Sequence, residues 1–318
     1  MMKIVALEAD TLGTDVDFSC IERFGELEVY RHTLQEELTE RIEDADIIIV
    51  NKLKLNRDNL SGAKNLKLIC ETATGYDNID VNYCWRREIG VCNVRGYSTD
   101  SVVQVTFAMA LSLISHIREY NRYVRQGKYT ASGAPMCIEP TYHELCGMVW
   151  GIVGYGEIGS RVAKIASAFG CEVMVYNRSK RAMPYEQTEL DTLLKKSDIV
   201  SLHVPLTEET KYLINEKNIS LMKESAALLN MARGAVLSAE AAVNAVLNKK
   251  IAALGVDVYE REPLDLKSAY NAVVGLDNVI LTPHMAWGAY EARVRCLEEV
   301  AKNIDTFIMG GKRNRVDL

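Results

Sequence analysis

Residues 148–170 read MVWGIVGYGEIGSRVAKIASAFG, and no other stretch limits the possible folds as strongly. A mostly apolar run suited to a buried strand leads into Gly154, Gly156 and Gly159. A helix-compatible run follows, with Ile158, Val162, Ile165 and Phe169 on one face and Gly170 at its end. A glycine triplet alone says little, but between a strand and a helix each glycine has a use. Gly154 permits the tight turn, Gly156 lets backbone approach a pyrophosphate, and Gly159 lets helix and strand pack closely. The amides that open the helix, at Glu157 and Ile158, then offer donors and a positive dipole end to an anion.

The rest of the chain supplies the sheets. Strand-like runs recur at 3–7, 27–30, 46–50, 66–70 and 91–94, separated by polar helix-compatible stretches such as 35–45. A second series runs through 148–153, 172–176, 198–204, 226–231, 252–258 and 278–282. Alternation at this spacing predicts α/β architecture, with parallel sheets covered by helices. Between the series, 98–127 has no proline and no internal glycine. Val103, Phe107, Ala110, Leu111, Ile114, Ile117, Tyr120 and Val124 fall at three- and four-residue steps, which predicts one long helix. Residues 128–145 read as a loop, and 290–311 as a closing helix.

Composition narrows the class. The chain has 318 residues, enough for two domains, with 48% hydrophobic and 25% charged residues. A net charge of −6 gives no general attraction to nucleic acid or to anionic lipid. No apolar run reaches a membrane span, and MMKIVALEAD reads as a first strand, not a signal peptide. The eight cysteines form no C-x-x-C pair and have no histidine at ligand spacing, which argues for reduced thiols and against zinc. The expected setting is the cytoplasm.

The second strand of the dinucleotide unit ends in VYNRSK. An acid at this offset would hold ribose hydroxyls and repel a 2′-phosphate. Asn177, Arg178, Ser179 and Lys180 stand there instead, which favours NADP(H) while leaving NAD(H) possible. Three further strand ends carry MARG, DVYEREP and TPHMAW, and with them Arg233, Glu262 and His284. Hydride chemistry at a carbonyl needs a proton donor, and histidine suits that near neutral pH. A carboxylate on the other ring nitrogen fixes the tautomer, and a guanidinium pairs with a substrate carboxylate.

In ATGYDNID, the glycine loop, LHVPLTEETKYLIN, LLNMARGAVL, GVDVYEREPL and TPHMAW the chain resembles the D-2-hydroxyacid dehydrogenase family over its whole length. NKL, ICETATGYDNID, NVRGYSTDSVVQ and HMAWGAYEAR are similar to its glycerate dehydrogenase, or hydroxypyruvate reductase, branch. The resemblance implies two doubly wound parallel-sheet domains with a cleft between them. Residues 1–97 plus 287–318 would form a flavodoxin-like substrate domain, and 98–286 a Rossmann NAD(P)-binding domain. It implies His284 as acid/base, Glu262 as its partner and Arg233 as the substrate-binding guanidinium. Pro205, Thr210, Met231, Ala232 and Asp257 would line the cofactor, with Asp257 on the nicotinamide side. Lys52, Thr74, Gly75 and Trp287 would serve the substrate, the amides of Thr74 and Gly75 meeting its carboxylate. A homodimer is expected, with 98–127 and 128–145 as contacts.

The activity implied is reduction of a small 2-keto acid, hydroxypyruvate or glyoxylate, to the D-2-hydroxy acid. Alternatives are the same chemistry on a branched or aromatic 2-keto acid, and a nucleotide-sensing corepressor-like interaction protein. The family's formate dehydrogenases have Gln where Glu262 stands, which disfavours formate. Tyr76, where that branch often has a smaller residue, departs from the pattern, as does the missing acid at 177.

Overall fold

The strands form where the sequence offers short, mostly apolar runs between polar stretches. The structure, a computed structural model, describes residues 1–318. The chain divides into two compact units, Met1–Ser98 with Gly288–Leu318, and Thr99–Trp287.

In the first unit, β1 (Met2–Ala6), β2 (Gly25–Val29), β3 (Ile47–Val50), β4 (Leu68–Glu71) and β5 (Gly90–Cys92) make one parallel sheet in the order β2-β1-β3-β4-β5. This is the flavodoxin-like order of a doubly wound sheet. β3 and β4 are buried along their whole length, as strands covered on both faces should be, and β4 takes the ionisable Glu71 inside with it. The helix Tyr290–Ile308 supplies Ala292, Cys296, Leu297, Val300, Ala301 and Ile304 to this unit's interior. The chain then returns along β5, where Arg315 bridges Cys92 and the Val316 amide donates to the Val91 carbonyl.

In the second unit, β6 (Val149–Val153), β7 (Glu172–Tyr176), β8 (Glu186–Gln187), β9 (Ile199–Leu202), β10 (Ala227–Asn230), β11 (Ala253–Val256) and β12 (Val279–Leu281) form a parallel sheet. Its order is β12-β11-β10-β9-β6-β7-β8. The order reverses beside β6, which puts the topological switch at the glycine loop. Trp150, on β6 beside the central strand β9, is fully buried and donates its indole N–H to Ser201 Oγ at 2.9 Å.

Three expectations need correction. The segment 98–127 is not one helix but Thr99–Ile114 and Ile117–Arg125, bent by 63°. His116 takes a left-handed conformation at the break, φ 49°. The first piece buries Val102, Val103, Phe107, Met109, Ala110 and Leu113, whereas the second buries nothing. The turn comes where the core ends. Residues 128–145 are not wholly loop, since Lys128–Ser132 is a short helix. On the helix Glu157–Ala168 the buried face is Gly159, Val162, Ala163 and Ala166, Ile158 and Ile165 are only half-buried, and Phe169 lies exposed beyond its end with its ring stacked on Phe107. No single helix is long and apolar enough to cross a membrane.

Candidate active site

Three adjacent strands, β10, β11 and β12, end on the same edge of the second sheet, and each end carries a polar side chain of chemical interest. After β10, Asn230 is fully buried and braces the turn that follows. Its Oδ1 accepts from the Ala232 amide at 3.1 Å and its Nδ2 donates to the Arg233 carbonyl at 3.1 Å. Met231 and Ala232 are thereby buried, while Arg233 is half-buried. The Arg233 guanidinium donates from Nη1 to the Ala232 carbonyl at 2.8 Å. Gly234 packs so closely on the Tyr259–Glu260 backbone that any Cβ there would overlap it. Arg233's turn and the loop bearing Glu262 are therefore pressed together.

That loop follows β11. Glu262 Oε1 accepts from the Tyr259 amide at 3.1 Å, and Oε2 meets His284 Nδ1 at 2.6 Å. Glu262 thus makes Nδ1 the protonated nitrogen and leaves Nε2 for chemistry. His284 itself follows β12 with φ 51°, a left-handed backbone that needs external support. Asp257 provides it. Its carbonyl accepts from the His284 amide at 2.8 Å. Its carboxylate accepts from the amides of Met285 at 2.9 Å and Ala286 at 3.0 Å, and from the Thr282 hydroxyl at 2.6 Å. Burial pushes the Asp257 carboxyl above its ordinary range, and these hydrogen bonds pull against that rise. Trp287 is partly buried against the Phe107–Trp150 cluster.

The glycine loop lies at the end of β6. Gly154 has φ 101°, and a Cβ there would stand 2.7 Å from Val204 Cγ1 and 2.8 Å from the His203 carbonyl. Gly159 packs its Cα against the Gly154 carbonyl with no room for a side chain. Gly156 differs, because nothing lies within 4 Å of where its Cβ would be, and no side chain caps the helix that begins at Glu157. Open space over uncapped first-turn amides fits a dinucleotide pyrophosphate. Ile158 is half-buried behind that turn. Nearby, burial pushes His203 down to about 3, so its ring is neutral. Its Nε2 lies 3.0 Å from Ser201 Oγ, and its buried Nδ1 has no partner.

The loop after β7 is organised from within. Asn177 Oδ1 accepts from the Tyr155 amide at 3.1 Å, and Nδ2 donates to the Ser179 carbonyl at 2.8 Å and to its hydroxyl at 3.2 Å. Arg178 pairs with Glu209, both exposed, and Lys180 is exposed. Arg181, which sequence reasoning passed over, donates to the Tyr155 carbonyl at 3.1 Å and so lies against the glycine loop. The Thr210 hydroxyl closes its own loop by donating to the Pro205 carbonyl at 2.6 Å and accepting from the Thr207 amide at 2.7 Å.

The first unit carries the remaining candidates. Glu8 Oε2 accepts the three consecutive amides of Asn51, Lys52 and Leu53 at 2.9, 2.8 and 3.1 Å. From the other side Asn78 Nδ2 donates to the carbonyls of Asn51 and Leu53 and to Glu71 Oε2. Glu71 is fully buried at the end of β4, and burial raises its carboxyl well above the usual carboxylate range. Lys52 is left exposed on this clamped loop. Thr74 and Gly75 follow β4 on the same edge, Thr74 exposed and Gly75 half-buried. The bracing residues Glu8, Glu71, Asn78, Asn230 and Gly234 were not foreseen, because each role depends on contacts distant in sequence.

Residues 107–286 match the family model described as D-isomer specific 2-hydroxyacid dehydrogenase, NAD binding domain. The chain is 36% identical to a hydroxypyruvate reductase of Blautia hydrogenotrophica, over 99% of this chain and 100% of that one. It is 36% identical to a glyoxylate reductase of Thermococcus litoralis, over 91% and 89%. Among solved structures, the D-lactate dehydrogenase from Aquifex aeolicus complexed with NAD and lactic acid aligns with TM-score 0.85 at 32% identity, over 99% of both chains. An acyclic imino acid reductase in complex with NADPH and D-Arg aligns with TM-score 0.86 at 30% identity, over 99% and 100%. The chain belongs to the D-isomer-specific 2-hydroxyacid dehydrogenases, oxidoreductases acting on the CH–OH group of 2-hydroxy acids through a nicotinamide-dinucleotide-binding domain.

Proposed function

We propose that this enzyme reduces a short 2-keto acid, hydroxypyruvate or glyoxylate, to the D-2-hydroxy acid, with His284 as proton donor. The observation that carries the reading is the 2.6 Å contact of His284 Nδ1 with Glu262, at the strand edge that also bears Arg233. The names of the relatives support the substrate class. Bound NAD(P)H supplies the hydride that reaches the carbonyl carbon. The protonated Nε2 of His284 gives its proton to the carbonyl oxygen as charge develops there. Glu262 keeps the ring in register by holding Nδ1–H throughout. Arg233, with donors remaining beyond the one used on Ala232, pairs with the substrate carboxylate and polarises the neighbouring carbonyl. The amides of Thr74 and Gly75 also meet that carboxylate, with Lys52 and Trp287 serving the substrate.

Gly154, Gly156, Glu157, Ile158 and Gly159 hold the dinucleotide pyrophosphate, and Pro205, Thr210, Met231, Ala232 and Asp257 line the rest of the cofactor. Asn177, Arg178 and Ser179, joined by Arg181, favour NADP(H) over NAD(H), because no carboxylate at the end of β7 repels a 2′-phosphate. The working form is a cytoplasmic homodimer. Exposed Ile117, Val124, Met136, Ile138 and Tyr142 supply an apolar surface for that association.

The test is steady-state reduction of hydroxypyruvate, glyoxylate, a branched and an aromatic 2-keto acid, with NADPH and NADH each below saturation. The short acids should exceed the larger ones in kcat/KM by about tenfold or more. Preference for a larger acid would replace the substrate assignment, and preference for NADH would remove the 2′-phosphate reading. Absence of turnover with every acid would sink the enzymatic role proposed for His284.

A further inference from the structure

The Thr74–Gly75 segment is held by two hydrogen bonds whose direction matters more than their number. The Val94 amide donates to the Ala73 carbonyl at 3.0 Å, and the Asn93 side chain donates from Nδ2 to the Thr74 carbonyl at 2.7 Å. A trans peptide is planar, with its C=O and N–H pointing in opposite directions. Holding the carbonyl of residue 73 therefore aims the amide of Thr74, and holding the carbonyl of residue 74 aims the amide of Gly75. Both N–H groups are turned away from β5, and neither donates to a protein acceptor. The Thr74 hydroxyl, which could compete for a ligand, is occupied by the Val94 carbonyl at 2.8 Å.

Asn93 is itself fixed. It is 2% exposed, its carbonyl accepts from Asn303 Nδ2 at 3.0 Å, and its amide donates to the Asn314 carbonyl at 3.2 Å. Asn303 is 1% exposed and accepts in turn from Asn314 Nδ2 at 2.9 Å. A file of side-chain amides thus runs from the C-terminal segment to the Thr74 carbonyl. Asn93 Oδ1 is buried and has no partner. A native fold keeps few such unpaired atoms, because an apolar side chain of the same shape would avoid the desolvation. The retained donor is on the side that meets Thr74.

We propose that Asn93, supported by Asn303, is a positioning residue that aims the Thr74 and Gly75 amides at the substrate carboxylate, an inference that rests on the function proposed above. Asn93 touches neither substrate nor cofactor. Its loss leaves both amides in place as groups but frees the plane that directs Gly75 N–H. Substrate binding weakens as a consequence, and the proton and hydride steps are spared.

The experiment uses full-length protein loaded with NADPH, with oxamate as an unreactive 2-keto acid isostere, and follows backbone amide resonances by NMR. In the wild type the Thr74 and Gly75 resonances should shift on oxamate addition. In Asn93→Ala the oxamate Kd and the keto-acid KM should both rise about tenfold or more, the scale of a hydrogen bond to a charged group. NADPH affinity should not change and kcat should stay within about threefold, the pattern of lost uniform binding. Asn303→Ala should show the same pattern with a smaller rise, and serves if Asn93→Ala does not fold. If wild-type Thr74 and Gly75 resonances stay still, the carboxylate assignment itself is wrong and this inference falls with it. If they shift in wild type and the variants bind oxamate equally well, the assignment stands and Asn93 has no positioning role. A fall in kcat with unchanged KM would also overturn the proposal.

Discussion

Two strand-end loops, one in each unit, are held by buried side chains of opposite polarity. At 284–286 the anchor is Asp257, an acceptor, and it consumes the amides of Met285 and Ala286. At 74–75 the anchor is Asn93, a donor, and it consumes a carbonyl. The first arrangement uses up the backbone donors and leaves a side chain, His284, as the group on offer. The second leaves the backbone donors themselves. A third loop, 51–53, makes the rule clearer. Glu8 takes its amides and Asn78 takes two of its carbonyls, so no backbone donor remains and the exposed Lys52 side chain is the cationic group on offer. The polarity of the anchor decides whether a loop presents a side chain or free backbone donors.

The comparison can be broken at its strongest point first. His284→Ala should lower kcat by about 10²–10⁴-fold, the range for a lost general acid, with NADPH binding intact by fluorescence titration. Near-wild-type turnover would mean that the acceptor-anchored loop presents nothing of catalytic use. Asp257→Asn comes next, because its new NH₂ faces amide donors. It should cost about 1–3 kcal/mol in a urea titration and lower kcat by about 10–100-fold, with keto-acid KM little changed. A rise in KM with kcat preserved would erase the contrast with Asn93.

Glu71 gives a pH-dependent test of the third loop. Burial holds its carboxyl protonated in the folded chain at pH values where the unfolded chain releases the proton. A raised folded pKa means that stability is lost as pH climbs from the ordinary carboxylate range to the folded value. Glu71→Gln should flatten that decline and make the variant the more stable form at pH 8. Equal slopes for the two proteins, measured as urea midpoints against pH, would show that Glu71 is ionised and that Asn78 is held by charge. The smallest effect is expected at the exposed Arg178–Glu209 pair. Arg178→Ala should reduce the NADPH-to-NADH preference only a few-fold, since exposed charges contribute little each. A complete loss of preference would show that Arg178 leaves Glu209 to grip the cofactor.

Much of the fold was legible because parallel strands buried on both faces are written as short apolar runs, as in DIIIV and ALLN. The glycine loop was legible because Gly154 and Gly159 meet steric limits that no other residue satisfies. The bend at Ser115–His116 was not, since no proline or glycine marks it and the cause is the end of the core beneath the helix. Of the candidate site, Arg233, Glu262 and His284 stood out as ionisable groups just past strand ends. Asn93 and Glu71 did not, because a polar residue near the end of an apolar run, as in VCNV or LKLICET, reads as a strand terminus. Their roles come from partners such as Asn303 and Asn78, and spacing along the chain carries no trace of those.

The segment that completes β5's surroundings has a consequence for the order of synthesis. Asn303, Asn314 and Asp317, whose carboxylate takes the Val91 amide at 2.9 Å, leave the ribosome after the entire unit Thr99–Trp287. The contiguous unit can therefore close while the first sheet still lacks its final helix and its file of amides. Nascent chains stalled shortly after residue 287 has emerged should show protease resistance over 99–287 and cleavage within 1–98. Resistance of both would mean that the first sheet folds without its C-terminal supports.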